Sequence, residues 1–187
     1  PVIHHRSPDF KDVFNGAVER LQQVFRTSND VLVFTSSGTG AFESAVVNLL
    51  SPGEPVLVVS HGEFGTRWQK LAAAYGCEVV ALNYEWGESP RAEDVSRSLA
   101  ESGARVALLV HSETSTGVVS DIRSLVHACN DAGVISVVDA ISSLGAVPLE
   151  TDDWGIDVVV TGSQKALMTP PGLAFASVSE RAWARSE

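Results

Sequence analysis

Cysteine is scarce in this sequence, with Cys77 and Cys129 the only two. They share no metal-binding spacing, and each sits within a helix- or strand-like pattern. Reduced thiols of a cytoplasmic protein are therefore expected rather than a disulfide framework or a zinc site. No cluster of basic residues occurs: 13 Lys and Arg against 23 Asp and Glu leave a net charge of -10. That balance argues against a nucleic-acid partner. The apolar runs are strand-sized, so no membrane span is expected. Repeats, low-complexity tracts and linkers are absent, and no signal-peptide pattern opens the chain. Pro1-Val2-Ile3-His4-His5 starts without methionine and Glu187 falls in a helix-like segment, so both ends read as cut. What remains is 187 residues, 44% hydrophobic and 19% charged, enough for one domain with a sizeable core.

Apolar spacing predicts an amphipathic helix over Asp9 to Arg26, with Pro8 at its start. Strands follow at Val31 to Phe34, Pro55 to Ser60, Glu78 to Leu82, Arg105 to Val110, Val134 to Val138, Val158 to Thr161 and Leu173 to Val178. Helices at Ala41 to Leu50, Thr66 to Tyr75, Ala92 to Ser102 and Asp121 to Ala132 alternate with them, the last with Asp121 as N-cap. Uniformly apolar strands alternating with helices predict an α/β fold, a three-layer α/β/α sandwich with a mostly parallel sheet.

Five polar stretches fall at the carboxyl ends of those strands, where open α/β sheets bind ligands. Ser36-Ser37-Gly38-Thr39-Gly40 lies between a strand and a helix, and either cradles a phosphate on free N–H groups or is an ordinary turn. It matches neither GxGxxG nor a Walker A loop. In His61-Gly62-Glu63-Phe64-Gly65, Phe64 either stacks on a flat ring or packs over the sheet end. His111-Ser112-Glu113-Thr114-Ser115-Thr116-Gly117 is either a solvated loop or a ligand contact through Thr114, and His111 is better read as structural than as a base. Asp139 follows Val134 to Val138, four of whose five residues are apolar, where a carboxylate needs a cationic partner or a capping role near Ile141. Lys165 ends the next strand, preceded by Ser163 and Gln164; it is either a surface lysine or an amine that attacks a carbonyl. An acid and a lysine at one edge suit pyridoxal 5'-phosphate, whose Schiff base a lysine forms and whose ring nitrogen an acid pairs.

Taken together, Ser37-Gly38-Thr39-Gly40-Ala41-Phe42-Glu43, His61 to Gly65, Glu113 to Gly117, Val138-Asp139-Ala140-Ile141-Ser142-Ser143-Leu144-Gly145 and Gly162-Ser163-Gln164-Lys165-Ala166-Leu167 resemble a class V aminotransferase. The nearest branch is the alanine–glyoxylate and serine–glyoxylate (serine–pyruvate) aminotransferases, of fold type I. The resemblance implies that Lys165 carries the Schiff base and moves the Cα proton, and that Asp139 keeps the ring nitrogen protonated. It implies that Phe64 stacks on the ring, where relatives often carry tryptophan, and that Thr114 lies near the ring oxygen. Ser37, Gly38 and Thr39 would cradle the phosphate with Gln164 beside it; some relatives carry histidine at the Thr39 position. It further implies small amino acid and 2-oxo acid substrates and a homodimer with shared active sites. The chain, 1–187, would then be the large cofactor-binding domain of a longer enzyme, without the small C-terminal domain and its carboxylate-binding arginine, and inactive by itself. Ureidoglycine and phosphonate aminotransferases share much of the pattern. Cysteine desulfurases carry histidines where Gln164 and Phe64 stand here. A nucleotide-binding or non-catalytic module, with Lys165 only structural, is the alternative from another class.

Overall fold

The computed structural model describes residues 2–186. It opens on helix α1, Pro8–Phe25. Ser7 caps it by accepting the Phe10 N–H at 3.2 Å, Pro8 occupies a first-turn position that needs no donor, and Arg26 ends it in the left-handed region at φ 56°. The chain continues through β1 (Asp30–Phe34), α2 (Gly38–Leu49), β2 (Pro55–Ser60), α3 (Glu63–Ala74), β3 (Glu78–Asn83), α4 (Ala92–Ser102) and β4 (Val106–Val110). The small strands β5 (Ser112–Glu113) and β6 (Val118–Val119) precede α5 (Ile122–Asp131), β7 (Ile135–Asp139), α6 (Thr151–Trp154), β8 (Val158–Gly162), β9 (Ala174–Val178) and α7 (Glu180–Ser186).

Seven strands form one sheet in the order β1-β9-β8-β7-β4-β2-β3. All pairings are parallel except those of β9, which runs antiparallel between β1 and β8. Alternate residues of the central strands enter two separate cores. Leu57, Val59, Leu109, Val138 and Val159 meet Val95, Leu99, Leu125 and Val126 of α4 and α5 on one face. Val56, Val58, Leu108, Val137 and Val160 meet Phe42, Val46, Trp68 and Ala72 of α2 and α3 on the other. Each such side chain contributes about 1.5–3 kcal/mol on burial. This is the expected three-layer α/β/α sandwich.

Three departures from the sequence expectation bear on the site. Helices α2 and α3 begin at Gly38 and Glu63, earlier than the apolar periodicity showed, so Gly38 to Gly40 and Glu63 to Gly65 are first helical turns rather than loops. Glycine and polar residues hide a helix start from a reading based on apolar spacing. The polar run after β4 folds back as the β5–β6 hairpin, with Ser112 opposite Val119. The single reversed strand, β9, was not distinguishable from its parallel neighbours by composition. Glu187 lies outside the described residues, and Glu180–Ser186 before it is helical. Cys77 and Cys129 are both buried and free.

The chain order reverses at the β2–β4 junction: β3 lies on one side of β2 and β4, β7 and β8 on the other. Those two strands pair only over Leu57↔Ala107 and Val58↔Leu108. Beyond that point buried His61 and Ser120 bridge them, Nε2 to Oγ at 3.1 Å, and the Ser120 hydroxyl donates to the Val110 carbonyl at 2.8 Å. Because that hydroxyl proton is used, His61 donates from Nε2, and its Nδ1 is left without a partner. The crevice outside such a reversal is where sheets of this kind hold ligands.

Candidate active site

The lysine and the aspartate stand at the ends of adjacent strands. Asp139 is the last residue of β7 and is 3% exposed. Its Oδ1 accepts the Ile141 N–H at 2.8 Å, so it closes the turn after β7 as well as facing the site. Burial pushes its carboxyl up to about 7; the Ile141 N–H pulls it down, Glu113 raises it further and Lys165 lowers it. A positive group beside Asp139 would favour its ionised form further.

Lys165 sits in the turn after β8, which a set of hydrogen bonds holds in shape. The Met168 N–H donates to the Lys165 carbonyl at 2.9 Å and the Thr169 N–H to the Ser163 carbonyl at 3.0 Å. The buried Ser163 hydroxyl donates to the Pro170 carbonyl at 2.7 Å. Met168 takes φ 52°, an unfavourable left-handed conformation for its side chain, which this turn imposes. Lys165 Nζ donates to Ser142 Oγ at 3.4 Å, and that oxygen lies 2.6 Å from Thr114 Oγ1. The ammonium also stands 5.8 Å from the centre of the Phe64 ring, whose other neighbour is the Arg67 guanidinium at 4.9 Å.

Ser37 caps α2 by position only: its hydroxyl makes no bond to the helix. The side chains of Ser37 and Thr39 are exposed, and the first turn of α2 opens toward the Lys165 turn. A Cβ on Gly38 would stand 2.5 Å from Ile141 Cδ1, so a larger residue there would have to displace that side chain. Ser37, Gly38, Thr39, Phe64, Gln164 and Lys165 line one cleft of about 520 Å³. Thr114 and Asp139 do not line it: Thr114 bonds Ser142, which accepts from Lys165, and buried Asp139 accepts from Ile141, a residue of the cleft wall. Six of the eight residues singled out in the sequence thus share one cleft, and the other two are linked to its wall.

Several participants were missed. Ser142 bridges Lys165 and Thr114, and its position three residues after Asp139, on the same turn, was the available signal. Arg67 follows Phe64 by three residues and therefore shares its helix face. Glu113, buried despite its charge, ties the hairpin to α3. His111 is buried outside the cleft with its Nδ1 unpartnered among the described residues, and burial pushes its imidazole down to about 4.

A mostly parallel seven-stranded sheet with one reversed strand, covered by helices and carrying a lysine and a buried acid at its carboxyl edge, is the α/β fold seen in fold type I aminotransferases. The family model described as Aminotransferase class-V matches residues 2–186, and the chain belongs to that family. It is 40% identical to the L-aspartate–glyoxylate aminotransferase of Paracoccus denitrificans over 97% of this chain and 48% of that protein. It is equally 40% identical, over 97% of this chain and 48% of the relative, to a Synechococcus protein named soluble hydrogenase, small subunit. Among solved structures, alanine–glyoxylate aminotransferase from Nostoc sp. superposes with a TM-score of 0.96 at 32% identity, over 100% of this chain and 50% of that one. The chain spans about half the length of the curated relatives it matches.

Proposed function

We propose that this chain is the cofactor-binding large domain of a pyridoxal-phosphate-dependent aminotransferase that moves an amino group from a small amino acid, alanine or serine, to glyoxylate or another small 2-oxo acid. The single observation that carries the reading is the placing of Lys165, in the turn after β8, beside the end of the neighbouring strand β7 that bears buried Asp139. The residues fit the cofactor. Ser37 and Thr39 hydroxyls, the Gln164 amide and the N–H groups opening α2 form a donor set suited to a phosphate. Asp139 is buried, which raises its carboxyl to about 7, and a protonated ring nitrogen beside it would favour its ionised form. When bound, the cofactor supplies an aldehyde for a Schiff base and an electron sink for the carbanion at substrate Cα. Lys165 Nζ would be the amine that holds the cofactor and the base that moves the Cα proton. Ser142 accepts a hydrogen bond from the amine and is itself bonded to Thr114, and Phe64 lines the same cleft.

The names of the relatives support glyoxylate as acceptor and leave aspartate, serine and alanine as candidate donors. A homodimer with shared sites, in the cytoplasm, completes the proposal. It is supported by the apolar surface left open beside the Lys165 turn, where Met168 is 90% exposed. No helix among the described residues is long and apolar enough to cross a membrane. Gln164 in place of histidine argues against a desulfurase. Among the described residues no group of three His, Cys, Asp or Glu side chains is placed to hold a metal ion.

The test is an absorption spectrum with added pyridoxal phosphate, before and after borohydride, on the wild type and Lys165→Ala. A yellow band fixed by borohydride onto a peptide containing Lys165, absent from the variant, is the expected result. A full-length protein that gives no band, or gives the same band without Lys165, refutes the reading.

A further inference from the structure

Glu113 is fully buried, and no charged side chain hydrogen-bonds to it. Its Oε2 instead accepts the Phe64 N–H at 3.0 Å and the Gly65 N–H at 3.2 Å, the donors left open by the first turn of α3. Its Oε1 accepts the Ser115 N–H at 3.1 Å and the Ser115 hydroxyl at 2.7 Å. Ser115 Oγ in turn accepts the Glu63 N–H at 3.0 Å. Every partner is a donor, and a negative charge at a helix N-terminus is favoured by the helix dipole. The fit is tight: a Cβ on Gly62 would stand 2.5 Å from Glu113 Cγ and 2.5 Å from Ser115 Oγ.

The two elements that this carboxylate joins carry different sides of the site. The helix start bears Phe64, and the hairpin bears Thr114, whose hydroxyl lies 2.6 Å from Ser142. We propose that Glu113 is a positioning residue that clamps the ring-stacking face and the ring-oxygen contact of the cofactor site in one fixed relation. The proposal rests on the cofactor reading above. Glu113 needs no contact with the cofactor for this role; it fixes the backbone from which Phe64 and Thr114 project. An acid at this place costs desolvation, and a neutral amide offers the α3 N–H groups one acceptor but also presents a donor to them.

The experiment compares full-length wild type with Glu113→Gln. Three quantities are read: amide exchange of the cofactor-free protein, affinity for pyridoxal phosphate, and the ratio of visible circular dichroism to absorbance with the cofactor bound. That ratio reports how rigidly the ring is held in an asymmetric setting, which general stability does not move. Expected in the variant are exchange at Phe64 and Gly65 faster by about tenfold, and a dissociation constant higher by about tenfold. The dichroism ratio falls while borohydride still fixes the cofactor on Lys165. Unchanged affinity and ratio in a variant whose wild type forms the Lys165 adduct overturn the clamp and leave the cofactor reading standing. A wild type with no adduct overturns both. Should Glu113→Gln lose its far-ultraviolet signal, Ser115→Ala decides: it removes one donor to Oε1 and the acceptor for Glu63. Faster exchange at Glu63 with a lower dichroism ratio supports the clamp, and no change in either overturns it.

Discussion

Replacing Asp139 by asparagine tests the electrostatics of the site without any cofactor. The amide oxygen can still accept the Ile141 N–H, so the turn after β7 keeps its hydrogen bond. What changes is titration. Asp139 titrates at about 7 when folded, because burial disfavours the anion; unfolded, it titrates near ~3.9. Between those values the folded protein holds a proton that the unfolded chain has released. Stability from this group therefore falls as pH rises through the window, and is flat above it. About three units at about 1.36 kcal/mol each gives a total of about 4 kcal/mol. His111 acts in the opposite sense: burial lowers it to about 4, so its contribution rises with pH up to its unfolded value near ~6.5. The wild-type profile alone thus mixes two opposed slopes, whereas the difference between Asp139→Asn and wild type isolates the aspartate. Urea unfolding of the cofactor-free proteins from pH 4 to 8 is the assay. The variant should gain on the wild type by up to about 4 kcal/mol across the window and hold that lead above it. A difference that stays flat with pH refutes the claim that Asp139 is strained when unpaired. With pyridoxal phosphate present the order should reverse at neutral pH, since only the aspartate pairs with a protonated ring nitrogen.

Two further substitutions probe the scaffold. Gly38→Ala pushes a methyl to 2.5 Å from Ile141 Cδ1, beside the residue whose N–H holds Asp139. Overpacking there should cost about 1–3 kcal/mol, read as a lowered thermal midpoint, and should weaken cofactor affinity. Trp68→Ala empties the centre of the α2–α3 core, where Trp68 is 1% exposed and meets Phe42 edge to face. A loss of about 3–5 kcal/mol in urea unfolding is expected.

Much of this protein could be read from its amino-acid order. Uniformly apolar strands such as Val106–Val110 and Val158–Gly162 reveal a sheet covered on both faces, because each alternate residue must find its own core. The residues after those strands were identifiable because a lone charge after an apolar run, Asp139 or Lys165, is costly unless something uses it. Periodicity could not place the starts of α2 and α3, since Gly38-Thr39-Gly40 and Glu63-Phe64-Gly65 carry too few apolar residues to register. Nor could it show β9 reversed, because strand direction leaves no mark on composition when both faces are buried. The role of Glu113 depended wholly on tertiary structure. Glu113 reads as one more polar loop residue until the chain brings the N–H groups of residues 64 and 65 against it, across some fifty positions of sequence. Local order determines which side chains are available and which face of each element is buried; only the packing of distant segments decides which buried donor meets which acceptor.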